Sequence, residues 1–491
     1  MAEHAATTVT GPRAAPAKLE PNVVSITQDT VIGLASVAPT VSVTLTLAGL
    51  AVAAAYAGGV TLVVLGIPML IIANAYRRLN MWQANCGASF EWVGRAINPW
   101  LGFMTGWLMI TAYITGGVSG GEVIGPSVLA VFGSGAAGGV WADIAIGTAV
   151  IAVMLVIAII GIRITARTQV GIAVIEYTIL IGIAVAALVA TLTHTSGTIP
   201  ISRDWFTLGG VGGHGSFVGA AVAAVFMYSG WEGGVYVNEE SKRRHINPGR
   251  AALIVVGFLI ILYTFAQIAL QAAVSPKQLQ AHADAPLVYI ATTLGHSVWW
   301  GRLAALALAL SVVALQGTTI VLGARIIYGM ASHRTLPSFL ANISHRYNTP
   351  VAASVLVGVL AIVLTVIYLL ATSVQNAFNL VVNLSGQLFA GFYILTGLAL
   401  VVYYRRLILS SFWNFVILGV LPLGASAFLA WILVEYLKTT DTDQQLAMGG
   451  TLLLGVVLAF VARYGLKSPF FKIRREAWAP EGEVPGRHAA Q

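Results

Sequence analysis

Tyr228-Ser-Gly-Trp-Glu-Gly-Gly234 sets three glycines in five residues around an acidic side chain, inside an apolar run near 217–237. Glycine is a poor helix former, and a carboxylate inside an apolar run is expensive. The stretch therefore reads as an interrupted helix, unwound around Gly230, Trp231, Glu232 and Gly233. A second interruption lies in Gly33-Leu-Ala-Ser-Val-Ala-Pro39, where a glycine and a proline stand six residues apart. Pro39 lacks the N–H that would bond one turn back, so unwinding is expected near Ala35 and Ser36.

Outward from these two stretches, apolar runs bounded by charged or Gly/Pro-rich breaks fall near 24–53, 60–77, 92–123, 140–162, 170–193 and 217–237. A second set falls near 251–274, 297–331, 351–371, 376–403, 411–436 and 447–465. A membrane-crossing helix needs about 20 mostly apolar residues, which gives twelve crossings. The long third and eighth runs have no charged break in their middle and read as single tilted helices. Composition agrees, since 58% of the 491 residues are hydrophobic and 9% are charged, against roughly 25% charged in soluble chains. A soluble globule and a disordered chain are excluded by these figures, and a disulfide scaffold by the single Cys86.

Lys and Arg are concentrated on the cytoplasmic side of membrane proteins. With a cytoplasmic N-terminus, 22 of the 26 Lys and Arg fall inside, leaving Arg203, Lys277, Arg302 and Lys438 outside. Both termini are thus expected in the cytoplasm, in a plasma (inner) membrane protein. The net charge of +8 follows from this asymmetry and gives no support to nucleic-acid binding. The first 22 residues hold no apolar h-region, so no cleavable signal peptide is expected. The expected organisation is a disordered tail (1–23), a first five-helix set (24–195), a second set (196–404), two further helices (405–466) and a second tail (467–491).

The two interruptions lie in spans one and six, the leading helices of the two sets. An odd number of crossings per set inverts the second, and breaks at corresponding positions of inverted repeats point to a midplane binding site. A broken helix offers free N–H groups where its second half starts and free carbonyls where its first half ends. Two crossed breaks can hold a zwitterion, its carboxylate near the starts at Pro39 and Gly233 and its ammonium near the carbonyls preceding Ser36 and Trp231.

Three stretches resemble the amino acid/polyamine/organocation permeases. The most specific is Arg325-Ile-Ile-Tyr-Gly-Met330-Ala331-Ser-His-Arg-Thr-Leu336-Pro337, with Thr349-Pro350 opening the ninth span. The others are Asn238-Glu239-Glu240 with Asn247-Pro248-Gly249-Arg250, and the stretch Arg77 to Trp92 entering the third span. The first span departs from the family's Gly-Ser/Thr-Gly-rich break with Ile-Phe, having Leu-Ala-Ser-Val-Ala-Pro after Gly33. The resemblance implies an all-α fold of the leucine-transporter type, with a 5+5 inverted repeat, two C-terminal helices, and helices one and six discontinuous. It implies a secondary active transporter of amino acids or related amines, working by alternating access. A polyamine or organocation exchanger and a non-transporting sensor are the alternatives.

Four carboxylates read as lying at membrane depth: Glu91, Glu122, Glu176 and Glu232. Glu91 reads as an Arg-paired residue at the interface, and Glu122 stays open. Span five has no Lys or Arg between Gln169 and His194. Some proton-coupled relatives carry a lysine in this helix where others hold sodium, so Glu176 is the candidate for proton coupling. A carboxyl at low dielectric suits proton exchange near neutral pH; the alternative is a salt bridge to Arg163 or Arg167. Glu232 reads either as recognising a substrate amine, with cation-π help from Tyr228, Trp231 and Tyr236, or as capping the half-helix at Gly233. Similar Trp-Asp pairs in polyamine permeases favour an extra amine on the substrate. Asn376, Asn379, Asn383 and Gln387 share one face of span ten and either line a pathway or bond neighbouring helices. Ser311, Gln316, Thr318 and Thr319 offer a sodium site or bond their own backbone. No nucleotide, zinc or hydrolase motif is present in the sequence, so no enzyme, cofactor or metal is expected.

Overall fold

A computed structural model describes residues 18–133, 138–195, 197–212, 214–371 and 374–478. Parts of both expected tails, 1–17 and 479–491, lie outside the described residues. Among the described residues, ten helical stretches are long and apolar enough to cross a membrane. The first, Ile26–Trp82, divides into α1 (Ile26–Val37), α2 (Pro39–Ala54) and α3 (Gly58–Trp82). The divisions fall at Ala38 and Ala55, where φ is 49° and 46°. Then come α4 (Ser89–Ala96), α5 (Pro99–Val131), α6 (Gly139–Ile160), α7 (Ile162–Leu192) and α8 (His214–Tyr228). A 3-10 helix, Trp231–Glu240, leads to α9 (Asn247–Ala272), and two short helices, α10 (Pro276–Ala281) and α11 (Pro286–Gly295), precede α12 (Val298–Ser332). The chain finishes through α13 (Val351–Ala371), α14 (Val374–Tyr403), α15 (Arg405–Ile408), α16 (Phe412–Asn414), α17 (Leu421–Thr439) and α18 (Thr442–Phe460).

The third crossing starts later than the sequence suggests. Asn98 caps α5 by accepting the Trp100 N–H at 2.8 Å, and Pro99 occupies the first turn, where a missing N–H costs nothing. Trp92 and Arg95 therefore belong to the separate amphipathic helix α4, which is not one of the candidate spans.

Helices pair in a regular way. The helix α3 packs on α9, α5 on α12, and α6 on α13. The first half of the broken leading helix, α1, packs on the 3-10 helix, and the second half, α2, packs on α8. The chain entering α1 is joined to the end of the 3-10 helix by Val23 N–H to Glu240 carbonyl at 2.8 Å and Lys242 N–H to Val24 carbonyl at 2.8 Å. Beside this seam, Asp29 is fully buried and accepts the Ser241 hydroxyl at 2.6 Å. Glu240 receives Arg325 of α12 in a bidentate ion pair, Nη2 to Oε1 being 2.8 Å, with both side chains at most 1% exposed.

The described C-terminal segment, 468–478, runs back over this end of the bundle. Phe470 is buried and stacks on Phe90 of α4 at 4.2 Å, and Phe471 meets Trp100 edge-on at 4.9 Å. Arg95 bridges Glu91 at 2.7 Å and Glu476 at 2.8 Å, and Trp478 N–H reaches the Tyr403 carbonyl at 2.9 Å. Glu91 also contacts His333. Burial alone would raise the Glu91 carboxyl, but His333 and Arg95 outweigh it and hold it below the usual carboxylate range.

Removing one member of a buried ion pair strands the other charge. Arg325→Met is expected to cost about 3–5 kcal/mol, read as a lowered unfolding midpoint of the purified protein. The double variant Arg325→Met/Glu240→Leu should recover most of that loss.

Candidate substrate site

Pro39 cannot return a hydrogen bond to Ala35, so α1 closes with the Ala38 N–H on the Leu34 carbonyl at 3.2 Å, and Ala38 turns left-handed. The backbone is unwound at Ala38, two residues beyond the expected Ser36. In the sixth run, α8 stops at Tyr228 and Gly230 adopts φ of 101° before Trp231 opens the 3-10 helix. A side chain at Gly230 would lie 2.7 Å from the Ser36 carbonyl oxygen, and one at Gly33 would lie 2.8 Å from that of Trp231. The glycines thus let two unwound backbones touch. The Ser36 hydroxyl joins them, 2.5 Å from the Gly230 carbonyl and 3.0 Å from that of Gly33.

Against this junction lies a cavity of about 460 Å³, counting its mouth. Ser36 and Ala38 come from the first break and Ser229 from the second; Phe226, Phe389 and Tyr113 add aromatic walls. Among the described residues, no charged side chain lines it. Of the residues expected to bind substrate, Ser36 alone reaches this cavity. Gly33 and Gly233 lie in the helix crossing, and Ala35 is buried against Ile172 of α7 and Ala314 of α12. Pro39 starts α2, and Tyr228 turns away to donate to the Leu62 carbonyl at 2.9 Å. Trp231 stacks on Tyr393 with ring centres 5.2 Å apart.

Glu232 does not line the cavity either. Its fully buried carboxylate accepts Tyr393 at 2.5 Å on one oxygen, and Tyr113 at 3.0 Å and Tyr236 at 3.2 Å on the other. The Tyr393 hydroxyl also accepts the Gly230 N–H at 3.0 Å, tying the cage to the break. Tyr113 is the cage member that faces the cavity.

Glu176 is 1% exposed and bonds the start of α2, accepting the Thr40 hydroxyl at 2.8 Å and the Thr40 N–H at 3.3 Å. Ser311 of α12 lies beside the same carboxyl without reaching hydrogen-bond geometry. The alternative partner Arg163 is instead paired with Glu20 at 2.5 Å. In α12, Thr318 bonds the backbone of its own helix and Gln316 the Gly117 carbonyl at 2.7 Å, while Thr319 lines the cavity. Asn383 lines a different, mostly apolar cavity of about 330 Å³, together with Gln387. The side chains of Asn376, Asn379 and Glu122 lie outside the described residues.

Sequence reasoning missed Tyr113, Tyr393, Phe226 and Thr40, whose side chains give no periodic or ionisable signal. It also missed Asp29, which did carry one, being an acid near the start of an apolar run.

These features define a multi-pass membrane protein with two interrupted helices crossing beside a central cavity. Residues 24–458 match the amino acid permease family, and the chain belongs to it, within the amino acid/polyamine/organocation superfamily. Over 128 residues it is 30% identical to the large neutral amino acids transporter small subunit 2 of Mus musculus and to the Asc-type amino acid transporter 1 of Mus musculus. The matched stretch is 26% of this chain and 24% of each relative, so it spans about a quarter of their length.

Tyr393→Phe would leave the Gly230 N–H and one Glu232 oxygen short of a partner, and is expected to cost about 1–3 kcal/mol. Tyr236→Phe should cost less, because Tyr113 still serves the same oxygen. Thermal unfolding of both variants checks this, and equal losses would contradict it.

Proposed function

We propose that the protein is a secondary active transporter of neutral amino acids that works by alternating access and is coupled to protons. The observation that carries this reading is the Ser36–Gly230 junction of two unwound helices on a cavity whose described lining carries no charged side chain. The α2 start at Pro39 attracts a carboxylate and the carbonyls ending α1 and α8 attract an ammonium, while Phe226 and Phe389 suit an apolar side chain. The matched relatives, named as transporters of large neutral amino acids and of the Asc type, support the same substrate class.

Twelve crossings follow when the first of the ten spans is counted twice, as α1 with α2 and then α3, and α8 with its 3-10 helix is added. The crosswise pairing of α1 with the 3-10 helix and α2 with α8 supports two inverted sets, 24–195 and 196–404, followed by 405–466. The placement of 22 of 26 basic residues supports a plasma-membrane protein with both termini in the cytoplasm.

Glu176 is the proposed coupling group. Ionised, it accepts both Thr40 donors and pins the start of α2 to α7; protonated, it loses acceptor capacity and the junction beside the substrate loosens. Glu232 acts on substrate through Tyr113 rather than by touching an amine.

In proteoliposomes with an inward proton gradient, leucine uptake is expected and putrescine should compete poorly. Binding without uptake would favour the sensor reading. Glu176→Gln should abolish acid-stimulated uptake while leucine binding persists; an unchanged pH dependence would sink the coupling role. Glu232→Gln should weaken neutral and cationic amino acids alike. A loss confined to cationic ones would return Glu232 to recognising the amine.

A further inference from the structure

At the end of the bundle that holds the α1 seam, a pocket of about 830 Å³, counting its open side, lies between the chain entering α1 and the loop leaving the 3-10 helix. Asn22 and Pro21 form one wall; Arg243, Arg244 and His245 form the other. These three basic side chains are exposed, and among the described residues none of them is in a salt bridge. Glu239 also borders the pocket, with one carboxylate oxygen accepting the Cys86 N–H at 2.9 Å. Arg243 takes φ of 50°, a left-handed turn that brings consecutive basic residues to one pocket instead of splaying them. Directly behind them starts α9, 26 residues long and without a side-chain cap at its N-terminus.

The positive-inside tendency explains basic residues at this end. It does not explain their convergence on a concave space beside an uncapped helix start. Two arginine forks and an imidazole match the several oxygens of a phosphate better than a halide or a lone carboxylate; the α9 dipole adds partial positive charge, while its Asn247 N–H is taken by the Arg243 carbonyl and Pro248 has none. The opposite wall belongs to the residues that precede Val23 and Val24, which are hydrogen-bonded to Glu240 and Lys242.

We propose that this pocket binds a phosphate-bearing anion, as the headgroup of an acidic phospholipid or as a free solute. The bound anion ties Asn22 to Arg243 and Arg244 and holds the seam between α1 and the 3-10 helix closed. Binding itself stands apart from the transport reading; only the effect of a closed seam on turnover rests on it.

The full chain in nanodiscs tests the proposal. The first arm compares nanodiscs of phosphatidylcholine with ones containing phosphatidylglycerol, reading lipid retained on the protein by native mass spectrometry. The second arm adds inorganic pyrophosphate to phosphatidylcholine nanodiscs and reads its affinity. Arg243→Gln/Arg244→Gln should weaken at least one probe about tenfold, whereas Arg243→Lys/Arg244→Lys should keep part of the binding. Arg405→Gln/Arg406→Gln removes an exposed basic pair elsewhere and should change nothing. Loss in the lipid arm alone assigns a headgroup, loss in the pyrophosphate arm alone assigns a free solute, and loss in both supports the shared chemistry. No binding of either probe by the unaltered protein, or equal loss in the two glutamine variants, overturns the proposal. Because these readouts need no uptake, a protein that fails to transport would still report on the pocket.

Discussion

Backbone at membrane depth must find its hydrogen bonds within the protein, because hydrocarbon offers none. That constraint makes the two breaks mutually dependent. Ala38 and Gly230 leave helical geometry at the same place, and each break supplies what the other needs. Ser36 provides a hydroxyl for the Gly230 carbonyl, Gly230 provides the bare Cα that lets Ser36 approach, and Tyr393 closes the Gly230 N–H. The central cavity is what remains when two helices stop short and their neighbours, α5, α12 and α14, cannot fill the gap.

The buried carboxylates are satisfied by chemically different means, and the difference separates their roles. Glu240 has a guanidinium and behaves as a permanent tie between the 3-10 helix and α12. Glu91 has Arg95 and His333, at a place where the protein meets its own C-terminal segment. Glu232 has three phenols, and Glu176 has one threonine and a nearby serine hydroxyl. A carboxylate facing only neutral donors keeps the option of becoming neutral itself, which one locked to arginine does not. Glu232 and Glu176, of this kind, adjoin the breaks, whereas Glu240 and Glu91, paired to arginine, lie at the end with the seam and the C-terminal segment, where Asp29 is a further buried carboxylate met by the neutral Ser241 hydroxyl.

The sequence made the helices and their interruptions readable because Gly, Pro and long apolar runs act locally. Gly33, Pro39 and Gly230 announced where the backbone would leave helix, to within a few residues. Which side chains face the cavity was not readable in the same way. Glu232 reads from the sequence either as meeting a substrate amine or as capping the half-helix at Gly233, and its orientation is set by Tyr113 of α5 and Tyr393 of α14, far away in the chain. Glu176 was singled out for lacking nearby charge, but its bond to Thr40 depends on how α7 crosses the α1–α2 junction. Asn383 showed the limit of periodicity: its helical face was identified, and the neighbour filling that face was α17, leaving the residue on a separate cavity.

The C-terminal segment has a consequence for how the molecule is made. Arg95 and Glu476 are 381 positions apart, and apart from the Ser468 N–H, which meets the Ala462 carbonyl, the hydrogen-bond and ring partners described for 468–478 outside the segment itself belong to α4, α5, or the ends of α12 and α14. A ribosome delivers those partners long before the segment that covers them. Until then Phe90 and Gly94 lack the ring of Phe470 that seals them, and Arg95 lacks one of its two carboxylates. Until residues 468–478 follow, the nascent chain therefore carries an apolar, half-neutralised face that those residues later cover.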